Sequence, residues 1–186
     1  TVDISEDENK AFQMLQLLTS KPILYVCNVD EESAADGNEL SAKVADMATS
    51  QDARSVVISA KIEEEVSQLD SDEDKQEFLE TLGLEETGLA RVIREGYALL
   101  GLITFFTVGP KEARAWTVKR ESKAPQAAGA IHTDFEKGFI KAETIAYDDF
   151  VALGGEQACK EAGKMRQEGR DYVVQDGDIM LFRFNV

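Results

Sequence analysis

The sequence predicts two folds in succession: an α/β strand–helix–strand segment with further helices over residues 1–100, then an α+β segment over residues 101–186. Three observations predict this. Residues 23–27 (Ile-Leu-Tyr-Val-Cys) and 56–58 (Val-Val-Ile) are short apolar runs of the kind that buried parallel strands show, with a helical pattern between them. After Gly101 the helical period gives way to short β-rich runs and turn signals. Charge divides at the same place, with 23 acidic and 8 basic residues up to Leu100 and 13 and 12 beyond it.

The composition sets outer bounds. A chain of 186 residues with 43% apolar content suffices for one large or two small domains with cores of their own. No stretch approaches the roughly 18 apolar residues of a membrane span. No signal peptide is visible and Thr1 is not an initiator Met, so the start is expected to be truncated, processed or simply not covered. A net charge of −16 excludes non-specific nucleic-acid binding over the whole surface and leaves room only for a local basic patch. Cys27 and Cys159 have no paired-thiol or zinc spacing and are expected as free thiols of a reducing cytosol.

The first element is a helix over residues 5–18. Ser5 and Glu8 have capping-box spacing, and Phe12, Leu15 and Leu18 or Met14 form its apolar face. Pro22 opens the strand at residues 23–27, expected to be central and buried on both faces. Asp36, Gly37 and Asn38 start a helix with Leu40, Val44, Met47 and Ala48 inward and Lys43 and Asp46 outward. It crosses over to the strand at 56–58. Next, Ile62, Val66 and Leu69 make one helical face, with Glu63, Glu64 and Glu65 on the solvated side. Ser71 and Asp74 start another helix, with Phe78, Leu79 and Leu82 inward and Gly83 as its stop. A last helix, residues 88–100, presents Leu89, Val92, Ile93, Tyr97 and Leu100.

In the second segment, residues 102–108 and 113–118 form a hairpin about Gly109, Pro110 and Lys111, with Trp116 and Val118 inward. Pro125 opens an Ala-rich helix through Ala130. Residues 138–146 are a strand. Asp148 or Asp149 caps a helix that ends at Gly154 and Gly155, and residues 156–165 are helical. Residues 172–174 and 179–184, with Asp176-Gly177 between them, predict a final hairpin. A hairpin, a helix and strands returning to one sheet make a β-grasp.

Polar groups just past the carboxyl ends of parallel strands sit where open α/β sheets bind ligands. Asn28 and Glu31 follow the first strand; Ser59, Ala60 and Lys61 follow the second. The pattern alone also fits ordinary strand–helix loops. Asn-x-x-Glu paired with Ser-Ala-Lys resembles the base-recognition pair of P-loop GTPase relatives. Together with residues 101–118 (Gly-Leu-Ile-Thr-Phe-Phe-Thr-Val-Gly-Pro-Lys-Glu-Ala-Arg-Ala-Trp-Thr-Val) it resembles the YchF/Obg-like ATPase family. Gln175 to Ile179 is similar to the close of TGS domains. The resemblance runs from about Leu15 to Val186.

The resemblance implies that residues 1–100 are the C-terminal part of a P-loop NTPase-type nucleotide domain, with the end of its helical insert. Residues 101–186 would be a ubiquitin-like β-grasp (TGS) domain. It implies slow hydrolysis of ATP or GTP with Mg2+ by the complete protein, and a cytoplasmic place on ribosomes or RNA, with no membrane or DNA partner. Asn28, Val29, Glu31, Ser59, Ala60 and Lys61 would bind the base. The usual form is Asn-Lys-x-Asp; here Val29 and Asp30 follow Asn28, and Glu31 is one methylene longer than Asp. Both departures weaken guanine selection, and the resemblance implies a family that accepts ATP and often prefers it to GTP.

No Gly-x-x-x-x-Gly-Lys-[Ser/Thr] loop occurs in the sequence, so this chain alone is not expected to hydrolyse nucleotide, and no catalytic or metal-binding residue is assigned. His132 with Asp134 or Glu136 makes a weak acid–base pair beside a structural role. Lys111, Arg114, Lys119, Arg120 and Lys123 border the hairpin as candidate RNA contacts, with Trp116 and Phe106 as stacking candidates if exposed. The competing reading is a non-enzymatic RNA- or ribosome-binding, or protein-binding, adaptor with a vestigial purine pocket. Nucleotide affinity separates the two.

Overall fold

The computed structural model describes residues 4–185; Thr1 lies outside them. The chain divides between Leu100 and Gly101 into two compact units.

In the first unit, α1 (Glu6–Met14) begins as its sequence predicts. The Glu8 carboxylate accepts from both the backbone N–H (3.2 Å) and the hydroxyl (2.7 Å) of Ser5. It stops well short of Leu18, because Gln16 takes a left-handed φ of +50° that a right-handed helix cannot contain. Leu18–Ser20 forms a separate 3-10 turn. Met14, Leu15 and Leu18 are exposed, so of the apolar face expected there only Phe12 is half-buried.

The strand–helix–strand unit forms as expected. β1 (Leu24–Asn28) and β2 (Arg54–Ile58) pair in parallel from Leu24↔Arg54 to Asn28↔Ile58, joined through α2 (Glu39–Ser50). The Asn38 side chain caps α2 by accepting from the Leu40 and Ser41 amides. The burial expected of β1 is not found: Val26 is 47% exposed. Among the described residues this sheet has only two strands, against which α2 and α5 (Gly88–Leu99) pack. Two strands are too narrow to cover the apolar stripes of two helices. Leu40, Met47, Leu89, Ile93 and Leu100, expected inward, are therefore exposed. α3 (Ala60–Ser67) and α4 (Asp72–Thr81) build a core of their own from Ile62, Val66, Leu79 and Leu84.

The second unit is a five-stranded mixed sheet. β3 (Leu102–Val108) and β4 (Ala113–Lys119) form the expected hairpin. The spatial order is β4-β3-β7-β5-β6, with β5 at Phe139–Ile145, β6 at Arg166–Glu168 and β7 at Ile179–Phe184. One face carries α6 (Ala124–Ile131) over Phe105, Met180 and Phe182. The other packs Ile145, Ile179 and Cys159, the last from α9 (Glu156–Glu161), with Phe106 and Phe150 at the margin.

Three expectations are corrected in this unit, and His132 takes the structural role open to it. His132 ends α6 and caps a further helix, α7 (Thr133–Lys137), its Nδ1 accepting from the Asp134 amide at 3.2 Å. α8 (Tyr147–Leu153) has Ala146, not Asp148 or Asp149, at its N-cap; both acids lie in its first turn. α9 ends at Glu161 rather than Met165, and the following Gly163 (φ +71°) turns the chain into β6. Residues 172–174 make no hairpin with β7. The amide of Ala124 donates to Tyr172 O and that of Val174 to Ser122 O, which ties this segment to the start of α6. β7 instead pairs antiparallel with β5 and parallel with β3.

The Tyr172 hydroxyl donates to Asp178 Oδ2 at 2.7 Å. Burial, and then this bond, push its pKa up to about 12. The folded state thus favours the neutral phenol. That contribution is complete below about pH 10, the ordinary tyrosine value, and is lost as pH rises towards 12. Urea midpoints of the wild type should therefore fall over this window, and Tyr172→Phe should flatten the fall. An equally steep fall in the variant would reassign it to other groups.

Candidate functional site

The strand register brings the two candidate loops together. The last residues of the parallel strands, Asn28 and Ile58, are partners, so the segments that follow leave the sheet side by side. The Val29 amide donates to Ile58 O at 2.9 Å, and the Ala60 amide donates to Asn28 Oδ1, also at 2.9 Å. Asn28 thus holds the start of α3 with its amide oxygen and keeps its Nδ2 hydrogens for an acceptor.

Asp30 accepts from the Ser33 amide at 3.0 Å and caps the 3-10 turn Glu31–Ser33. That turn presents Glu31 to Lys61, and the two form an ion pair. The hydrogen bond from Lys61 holds the Glu31 carboxyl below its ordinary range, and the same bond raises Lys61. Ser59 is buried at 2% exposure, and its hydroxyl has no hydrogen-bond partner among the described residues. Asn28, Val29, Glu31, Ser59, Ala60 and Lys61 therefore form one cluster. It holds one amide donor, at Asn28, beside a carboxylate and an ammonium that are paired with each other. It contains no hydroxyl, thiol or imidazole arranged as a nucleophile and base.

One residue of this neighbourhood escaped the sequence reading. Glu63, expected on a solvated face, is half-buried and accepts the Gly88 amide at 2.6 Å and the Leu89 amide at 3.1 Å. Nothing in a run of three glutamates marks the first. The signal lay in Thr87-Gly88, a helix start whose amides need acceptors.

The basic residues of the hairpin are dispersed. The Arg114 guanidinium lies 4.2 Å from the centre of the Trp116 ring, whose Nε1 donates to Thr107 Oγ1. Lys123 pairs with Asp171 at 2.7 Å. Lys119 follows the inward-facing Val118 in β4 and points to the opposite sheet face. Lys111 lies in the β3–β4 turn and Arg120 just after β4. Trp116 is half-buried beneath Arg114, and Phe106 packs in the second core. Among the described residues no three His, Cys, Asp or Glu side chains gather as a metal-ligand set, and no helix is long and apolar enough to cross a membrane.

A family model described as "YchF-GTPase_C: Protein of unknown function (DUF933)" matches residues 102–185. The chain is 54% identical over its full length to the "Ribosome-binding ATPase YchF" of Bacillus subtilis, of which it covers 51%. It belongs to the YchF/Obg-like ATPase family. The "Obg-like ATPase 1" of Rattus norvegicus is 45% identical across 98% of the chain and 46% of that relative. The structure of the Schizosaccharomyces pombe YchF GTPase superposes with a TM-score of 0.80 at 34% identity, over 98% of this chain and 49% of that one. The chain corresponds to the C-terminal portion of YchF proteins and spans about half the length of the curated relatives it matches.

Proposed function

We propose that this chain supplies the purine-reading edge and a TGS-type β-grasp domain of a ribosome-associated ATPase in the cytoplasm. The first unit is then the C-terminal part of a P-loop NTPase domain, with Asn28, Val29, Glu31 and the 59–61 turn on the base. The observation that supports this reading is the Asn28–Ala60 hydrogen bond, which ties the segments after the two strands to each other. The Nδ2 donors of Asn28 suit the N7 acceptor that adenine and guanine share. Phosphate groups and Mg2+ would be held by the part of the protein that carries the P-loop. The same part would cover Ile23, Val26, Leu89 and Ile93, the apolar groups that two strands leave exposed.

Two experiments test the reading. Calorimetry of this chain with millimolar ATP and magnesium should detect negligible binding, whereas the complete protein should bind; tight, phosphate-dependent binding to the chain alone would contradict it. The names of the bacterial relatives support a ribosomal partner. On that basis the hairpin should carry RNA affinity. Reversing Arg114 and Arg120 to Glu should weaken RNA binding and flatten its salt dependence, by roughly one unit of slope for each phosphate left without its cation. Unchanged binding would remove the hairpin from the interface.

A further inference from the structure

We propose that Glu63 is a positioning residue for the base site: it clamps the first turn of α3 to the start of α5, and purine affinity depends on that clamp. The inference rests on the base-site reading above. α5 begins with amides that have no acceptor inside the helix. Glu63 Oε1 takes that of Gly88 at 2.6 Å, Glu63 Oε2 that of Leu89 at 3.1 Å, and Thr87 Oγ1 that of Ala90 at 3.1 Å. A carboxylate at this end of a helix is also favoured by the helix dipole.

The fit around the clamp is close. A Cβ on Gly88 would lie 3.0 Å from both Glu63 Oε1 and Ile58 Cβ. Ile58 ends β2, and its carbonyl receives the Val29 amide. The start of α5 therefore bears on residues 58 and 63, which flank the 59–61 turn on either side. The two links that shape the base edge, Ala60 N–H to Asn28 and Lys61 to Glu31, both leave from that turn. The neighbouring Glu64 and Glu65 are exposed, so the role belongs to Glu63 alone of the three.

The test uses the complete protein, with its phosphate-binding half. Glu63→Ala removes both acceptors; Glu63→Gln keeps the volume and one acceptor. KM for ATP and for GTP should rise about tenfold in Glu63→Ala and less in Glu63→Gln, with kcat within about twofold of wild type. Inhibition by inorganic tripolyphosphate, which has no base, should not change. A merely structural residue would lower stability without separating ATP from tripolyphosphate. If Glu63→Ala does not fold, Glu63→Gln carries the test. Faster amide exchange at Gly88 and Leu89 with an unchanged KM for ATP would overturn the inference. Asn28→Ala is measured alongside. If it raises KM while the Glu63 variants do not, the clamp alone fails; if it too leaves KM unchanged, the base reading fails and the clamp with it.

Discussion

Replacing Asp178 with Ala is expected to destabilise the C-terminal unit by about 3–5 kcal/mol, because buried hydrogen-bonding groups would lose a charged partner. The carboxylate is 3% exposed. Its Oδ2 accepts the Tyr172 hydroxyl at 2.7 Å and the Gln175 amide at 2.9 Å, and the Arg166 guanidinium lies 3.7 Å from its Oδ1. Truncation takes the acceptor from the phenol hydrogen and from the Gln175 amide, at about 1–3 kcal/mol each, although the phenol oxygen still accepts from Arg166. It also loosens the turn that joins β7 to β3. There Asp176 Oδ1 accepts the Thr104 amide, the Gly177 amide donates to Thr104 O, and the Phe106 amide donates to Asp178 O, all at 2.8 Å. Gly177 holds φ +82° in that turn, a conformation suited to glycine. Asp178→Asn keeps one acceptor and should cost less. Trp116 is the sole tryptophan and lies in this unit, so its fluorescence during urea unfolding reads the loss directly. A loss below about 1 kcal/mol would show that the turn is held by its backbone bonds alone.

The second large effect concerns base choice. A guanine-selective edge needs a short carboxylate to accept from N1–H and the N2 amino group, and a donor for O6. In this site each such group is engaged within the protein. Glu31 is paired with Lys61, and the Ala60 amide is donated to Asn28. Adenine, with a bare N1 and no amino group at C2, asks for neither. Glu31→Asp shortens the carboxylate and withdraws it from Lys61; Val29→Lys adds an aliphatic stem along the ring. The double variant should shift the ATP-to-GTP preference towards GTP by about 10- to 100-fold, the worth of one well-made polar recognition contact.

The sequence made the order of elements legible because local signals were strong. Asn38 before α2, Ser71 before α4 and Gly83 after it each did what their chemistry predicts. Burial was less legible. The apolar runs of β1, α2 and α5 read as core, but the two strands among the described residues leave Val26 and Leu89 exposed. In the second unit the Asp-Gly pair signalled a tight turn and one exists. Local sequence cannot tell which strand a turn serves, and β7 pairs with β3 and β5 across the sheet. At the candidate site, the place of Asn28, Glu31 and Lys61 after the two strands was readable from the sequence, while their reading as base contacts came from the family resemblance. The contact of Glu63 with Gly88 joins residues 25 positions apart, and its one local signal was the helix start at Thr87-Gly88.

The most direct measurement is competition between ATP and GTP for the complete protein as wild type, as Asn28→Ala and as Glu31→Asp with Val29→Lys. The expected result is that Asn28→Ala weakens both nucleotides alike, about tenfold, since the N7 contact is common to both purines, while the double variant moves the ratio towards GTP. An unchanged ATP-to-GTP ratio in the double variant, with both affinities intact in Asn28→Ala, would contradict the assignment of residues 28–31 as the base reader.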